Sequence, residues 1–338
     1  MKFVVDLAPE AYERIARAIM SEEPALIVRF IRLAIENQLA LEESEEGSYE
    51  NALEGGSGAD RRTEVNLARQ EDLWKGLRID DIPWQGLTPV APPRIAEGPL
   101  WGQYNRLLPA KVGLRVLTQA LSSSPDGISL EDYHRKATNV GVKARRFLTD
   151  IDAFQGIPRG ERLSTAFPEA TEKSIHRFQS HFLGYLQRDG SAVGALPELG
   201  FITISPEAPN GVQMTDIGLA FVRLPNPVME GDSIPRKTMS PAEVQFLLNH
   251  FRSFMDGEFR FIKGLLQWIS QGMDSPETLT RQVQREYPEW SRKVASTMRA
   301  GALGRMQELN LISRLREGRQ ITYCVENAGL ELLEEDAE

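Results

Sequence analysis

Residues 275–333 constrain this 338-residue chain most, because four elements follow one another there with hardly a residue between them. Ser275-Pro276-Glu277 supplies a cap residue, a proline at the first helical position and an acid in the first turn, and Pro288 closes the helix they open. A second helix starts near Trp290 and carries Val294, Met298, Gly301, Ala302, Met306 and Leu309 at three- and four-residue spacing, the pattern of one buried stripe. Its other face shows Arg292, Lys293, Ser296 and Arg299. Residues 311–316 and 320–325, joined by Glu317-Gly318-Arg319, read as a hairpin with glycine at its bend, and a last helix from about Asn327 holds Leu330, Leu332 and Leu333.

Charge singles out the same segment. Between residues 291 and 323 seven basic side chains (Arg292, Lys293, Arg299, Arg305, Arg314, Arg316, Arg319) face two acids (Glu308, Glu317), a local excess of +5 in a chain whose net charge is −9. Local basicity on an acidic protein points to a polyanion-facing patch. The plainer alternative is a solvated helix face beside a polar turn.

The order helix, turn, helix, hairpin, with Leu309-Asn310-Leu311-Ile312, Arg314, Gly318-Arg319, Tyr323, Gly329-Leu330 and Leu332-Leu333, resembles the winged helix-turn-helix and is similar to MarR-like and PadR-like regulators. The resemblance covers the last third of the chain, from about Ser240. It implies that Arg292, Lys293, Ser296, Thr297 and Arg299 meet the DNA major groove and nearby phosphates, while Arg314, Arg316 and Arg319 clamp the backbone or the adjacent minor groove. Winged helices also serve as protein-binding modules, so that reading stays open.

The chain is too long for one such module and predicts two or three domains. With 41% apolar residues it can bury real cores, yet it holds no run of about 18 apolar residues, which excludes a membrane helix. The acidic, early-periodic N-terminus is not expected to be a secretory signal. Cys324, the single cysteine, excludes an internal disulfide framework and fits a reducing cytoplasm, with nucleoid association following from a DNA partner.

Residues 1–41 have their own pattern: Phe3, Val5 and Leu7 alternate as a short strand, and two helices follow, the second holding Ile27, Phe30, Ile31 and Ile35. Strand, helix, helix looks like the ribbon-helix-helix fold, which implies a dimer because so short a unit cannot bury its apolar face alone. A DNA-reading ribbon would show Lys2, Val4 and Asp6 outward, and residues 1–60 hold five basic side chains against thirteen acids. Dimerisation is therefore the expected role; DNA reading by the ribbon and an ordinary helical pair are the alternatives.

Residues 42–104 read as an acidic, Gly/Ser-rich tether followed by a Trp/Pro-rich arm with Trp74, Trp84 and Trp101, laid over a domain surface. Residues 105–235 suggest a first winged-helix-like domain with helices over 130–137 and 142–154, the latter bearing Lys143, Arg145 and Arg146, and over 171–188, bearing Lys173 and Arg177. Either of the last two is a candidate reader of DNA. Residues 236–338 form the second domain, opening at Ser240-Pro241-Ala242-Glu243 and carrying aromatic stripes expected in a core or a subunit interface. A repeat supports the pairing: Leu199-Gly200-Phe201-Ile202, Met214-Thr215 and Gly218-Leu219 parallel Leu309-Asn310-Leu311-Ile312, Ile321-Thr322 and Gly329-Leu330 at offsets of 107 to 111 residues.

No enzyme motif is present: there is no Walker loop, dinucleotide fingerprint, nucleophile elbow or paired-histidine metal motif. His176 and His181, five apart on a helix, stand about 140° from each other, poorly placed to share a metal. The expectation is a mainly α fold with small β-hairpin wings (α+β), a ribbon-helix-helix-like N-terminus and two winged-helix domains. It describes a homodimeric, non-enzymatic protein that binds double-stranded DNA, needs no cofactor or metal and is used in transcription regulation. The alternative is an architectural adaptor, resembling kite-type tandem winged-helix subunits, working beside an ATPase or nuclease in a DNA-processing, defence or chromosome-maintenance complex.

Overall fold

The computed structural model describes residues 73–338 apart from 94, 96–97, 125–126, 159–160, 206–210, 232–236, 319 and 335–338. In chain order the helices are α1 (Leu108–Ser123), α2 (Leu130–Phe154), α3 (Glu172–Phe178, running into a π-turn at Gln179–Leu183), α4 (Ala195–Glu198), α5 (Asp216–Val222) and α6 (Pro227–Glu230), then α7 (Pro241–Phe254), α8 (Asp256–Ser270), α9 (Pro276–Glu286), α10 (Arg292–Glu308) and α11 (Asn327–Glu334). Among the described residues the strands form three separate antiparallel hairpins: β1–β2 (Tyr185–Leu186, Ala192–Val193), β3–β4 (Ile202–Ile204, Val212–Met214) and β5–β6 (Ile312–Glu317, Gln320–Val325). The fold is thus mainly helical with small hairpins. Among the described residues no helix is long and apolar enough to cross a membrane. The chain divides into two units, Met1–Asn66 and Leu67–Glu338. The expected dimerisation residues Phe3, Val5, Leu7, Ile27, Phe30, Ile31 and Ile35, and the tether, lie outside the described residues.

The internal repeat is present in the backbone. Both α4 and α10 end in the same cap: Phe201 donates its N–H to Leu196 O and Leu311 to Met306 O, while Gly200 (φ 71°) and Asn310 (φ 56°) take the left-handed conformation between. After each hairpin the chain returns to one carbonyl, Thr215 N–H donating to Phe201 O and Glu326 N–H to Leu311 O. Gly218 and Gly329 lie against those same two carbonyls, where a Cβ would not fit. Along the outer edge of each hairpin one residue stands at the same place, Ile128 beside Val212 and Asp274 beside Tyr323, with Val90 adding a second bridge at Thr215 in the first half, and the residue after each, Ser129 or Ser275, caps the following helix. The halves differ where the second has the 17-residue α10: the first has α3, the π-turn, β1–β2 and only one helical turn in α4.

Two expectations are corrected here. Helices over 130–137 and 142–154 are one 25-residue helix, α2. Gly141 does not break it; the missing side chain lets Pro168 and Phe178 pack against the helix, since a Cβ there would stand 3.0 Å from Pro168 Cδ. The helix over 171–188 stops at Leu183, because Gly184 (φ 104°) turns the chain into β1.

The arm is not laid over a finished surface. Trp74, Leu100 and Tyr104 are buried in the core, and one cluster of buried apolar residues runs through both halves, so the expected boundary at 235/236 falls inside one unit. Residues 100–107 are held by a buried ion pair. Glu258 Oε1 accepts from Arg305 Nε (2.8 Å) and Nη2 (2.7 Å), Glu258 Oε2 accepts from Leu100 N–H (2.8 Å), and Arg305 Nη1 donates to Tyr104 O (2.8 Å). One turn on, Glu308 accepts from the N–H groups of Leu107 and Leu108, capping α1 from another helix, and burial raises its pKa. Gly102 and Gly301 bring this strap and α10 into backbone contact. A second buried pair, Lys111 Nζ to Glu243 Oε1 (2.9 Å), ties α1 to α7, with Phe221 O and Leu224 O taking the remaining ammonium protons.

Replacing Glu258 with Ala leaves Arg305 buried and without its partner, so denaturant unfolding is expected to show a loss of about 3–5 kcal/mol. Gly301→Ala should also destabilise, by at least about 1 kcal/mol in a thermal melt, against the gain of about 1 kcal/mol that the same change brings in an exposed helix. A neutral or higher melting point would mean that the strap and α10 are not in backbone contact.

Candidate nucleic-acid interface

The candidate face is built by α9, α10 and the β5–β6 hairpin. Ser275 caps α9 by accepting from Thr278 N–H, and Ser291 caps α10 by accepting from Val294 N–H. Between the helices Tyr287 and Trp290 stack at 4.2 Å and 8°, with Phe261 meeting both edge-on, so the angle of the turn is set by aromatic packing. The hairpin pairs Ile312 with Val325 through to Glu317 with Gln320, and Gly318 (φ 59°) makes its bend.

Of α10, only Arg292, Lys293 and Ala300 are exposed. Arg292 pairs with Glu277 at 2.6 Å across an exposed surface, and Lys293 beside it is exposed. Ser296 and Thr297 are half-buried, and the Thr297 hydroxyl donates to Lys293 O, satisfying the helix's own backbone. Arg299 is a correction: read as part of the outer face, it is 9% exposed and donates from Nη1 to Pro276 O at 2.6 Å, bracing α10 against the start of α9. Burial also lowers its pKa, against the opposing pull of Tyr323 and Glu277. The apolar stripe expected along α10 is buried from Met298 on, with Val294 half-buried, and what covers the helix further along is the strap, through Gly102 at Thr297–Met298 and Asn105 at Gly304.

On the hairpin Arg316 is exposed, donating from Nε to Gly318 O, while Arg314 is half-buried and Arg319 lies outside the described residues. Between hairpin and helices opens a groove of about 550 Å³, lined by Pro276, Glu277, Thr280, Ser296, Arg299 and Thr322 among others. Sequence reasoning missed Arg281 and Arg285, exposed on α9 at four-residue spacing; that spacing, in a helix whose buried face is Leu279 and Val283, was the available signal. The three elements carry exposed guanidinium and ammonium donors, and hydroxyls line the groove between them, the chemistry that meets phosphate oxygens.

In the first half the structure separates the predicted residues. Lys143 and Arg146 are exposed on α2, and Lys173 and Arg177 on α3. Arg145 is engaged internally, donating to Ser164 O (3.0 Å), Phe167 O (3.1 Å) and Glu169 (2.8 Å), because α2 packs the 163–169 segment on that side. His176 is exposed; His181, half-buried in the π-turn, has its pKa lowered chiefly by burial. Comparison with protein families, curated proteins and solved structures finds no match to this chain.

Two neighbouring arginines should respond oppositely to mutation. Arg292→Ala removes an exposed pair and is expected to change stability by less than about 1 kcal/mol. Arg299→Ala removes the buried guanidinium that braces α10 on Pro276 O, leaving that carbonyl only the Thr280 hydroxyl among side chains, and should cost about 1–3 kcal/mol, both read from urea midpoints.

Proposed function

We propose that this chain is a non-enzymatic DNA-binding protein whose two halves are winged-helix modules, with the second half contacting duplex DNA. The observation that carries the reading is the set of exposed cations Arg281, Arg285, Arg292, Lys293 and Arg316 on the three elements that form one open groove, with Arg281 (4.0 Å) and Arg292 (2.6 Å) meeting at Glu277 in its wall. In this reading α10 meets the groove with its first turn, as recognition helices do with their N-terminal residues, and the hairpin lies along the backbone. Strap coverage beyond Thr297 leaves few side chains for base edges, so phosphate contacts carry most of the affinity. Transcription regulation is the ordinary use of such an architecture, with residues 1–41 as the dimerisation module.

One observation favours the adaptor reading. The covered α10, together with Trp101 (40% exposed) and Phe254 (58% exposed), gives the described unit apolar points suited to a protein partner such as an ATPase or nuclease subunit.

Binding of the full chain to random duplex DNA across a salt series decides between them, alongside Arg314→Ala/Arg316→Ala/Arg319→Ala. The DNA reading expects tight, salt-steep binding that weakens for every sequence in the variant, the log–log slope falling by about 0.9 for each phosphate no longer neutralised. Equally weak binding by both proteins at low salt would overturn it and favour the adaptor.

A further inference from the structure

We infer that the groove between α2 and the π-turn in the first half is a second contact face for duplex DNA, equivalent to the α9–α10 groove of the second; this rests on the DNA reading above. The internal repeat supplies the equivalence. Ser129 and Ser275 hold the same place, each following the residue that borders its hairpin and capping the next helix, so the first turn of α2 corresponds to the first turn of α9. At both places a groove opens. In the first half it has a volume of about 630 Å³ and is lined by Leu130, Glu131, His134, Arg135, Thr138 and Gln179 among others; its counterpart begins at Ser275, Pro276, Glu277 and Thr280.

The floor of this groove is fixed. Gln179 Nε2 donates to Thr138 Oγ1 at 3.0 Å, joining the π-turn to α2, and His134 Nε2 donates to Gly184 O at 2.8 Å where the turn ends. A π-turn is a costly irregularity that recurs at functional sites, and this one stands where the second half continues as regular helix.

Charge identifies the occupant as a polyanion. Residues 135–146 contain Arg135, Lys136, Lys143, Arg145 and Arg146 and no acid. Arg135 and Asn139 line the groove and are exposed, and Arg146, seven residues on, continues their helix face, with Lys136 and Lys143 exposed on the flank. From Arg135 to Arg146 the helix rises about 16 Å, enough to follow several phosphates of one strand. Lys173, His176 and Arg177 are exposed on α3, directly before the π-turn. Glu131 lines the groove itself; the other acids nearby on α2 and α3 are Asp150, Glu172 and Asp132, the last bonded to Arg135 at 2.7 Å. An extended row of cations suits a rod-shaped polyanion better than a small anion, and the equivalence with the second half selects duplex DNA.

The test uses the full chain with Lys136→Ala/Lys143→Ala/Arg146→Ala/Lys173→Ala/Arg177→Ala, all exposed positions, next to wild type and a control, Lys75→Ala/Arg260→Ala. With wild type binding DNA, the five-site variant should keep its melting temperature, lose roughly two to four units of log–log salt slope and lose protection on one side of a hydroxyl-radical footprint. The control should match wild type. Unchanged slope and footprint in the five-site variant, or an equal loss per charge in the control, would overturn the inference while the second-half interface stands. Wild type that does not bind duplex DNA removes the underlying reading, and this one with it.

Discussion

The ion pair between Arg305 and Glu258 joins three parts of the chain that are far apart in sequence. Both side chains are fully buried, and each spends its remaining hydrogen-bonding capacity on the backbone of the strap, at Leu100 and Tyr104. A buried charge pair holds only when every donor and acceptor around it is satisfied, so the strap is not a decoration on α8 and α10 but the part that completes their contact. Gly102, Gly301 and Gly304 make room for it, and Glu308 continues the arrangement by capping α1. The position of α1, and through Lys111 and Glu243 the position of α7, follows from there.

Two backbone frames of one plan are built on that centre. Each has a helix, a residue bordering the hairpin, a serine-capped helix, a left-handed cap, a hairpin and a helix whose glycine lies on the carbonyl at the start of the hairpin. The second frame keeps a long α10 but surrounds it, leaving its first turn and the tip of the hairpin free; the first frame shortens the corresponding helix and lengthens α2 instead. The cations follow the free surfaces in both, on α9, the start of α10 and the hairpin in one, and on α2 and α3 in the other. That distribution is what the proposed DNA contact draws on, and the strap explains why it favours phosphates over base edges.

Much of the second half was legible in the sequence, since local rules decide it. Ser275-Pro276 and Ser240-Pro241-Ala242-Glu243 start helices because a side-chain oxygen meets orphan N–H groups, and Gly318 bends the hairpin because only a residue at ease at positive φ fits. The repeat was visible because Gly218 and Gly329 answer one steric demand twice. In the first half the same rules misled: the break expected between 137 and 142 is continuous helix in which Gly141 is a packing notch, and the pattern past Leu183 stayed helical while Gly184 turned the chain. Arg299 looked solvent-facing from its helical position, and its partner, Pro276 O, belongs to another helix.

The sequence by itself determined element starts and stops, the apolar stripes and the place of the basic segment, because caps, turns and periodicity act over a few residues. Only the tertiary structure decided which polar faces stay free. Whether an arginine meets solvent or a buried carbonyl depends on what packs over it, and here the covering pieces, the strap on α10 and the 163–169 segment on α2, come from elsewhere in the chain.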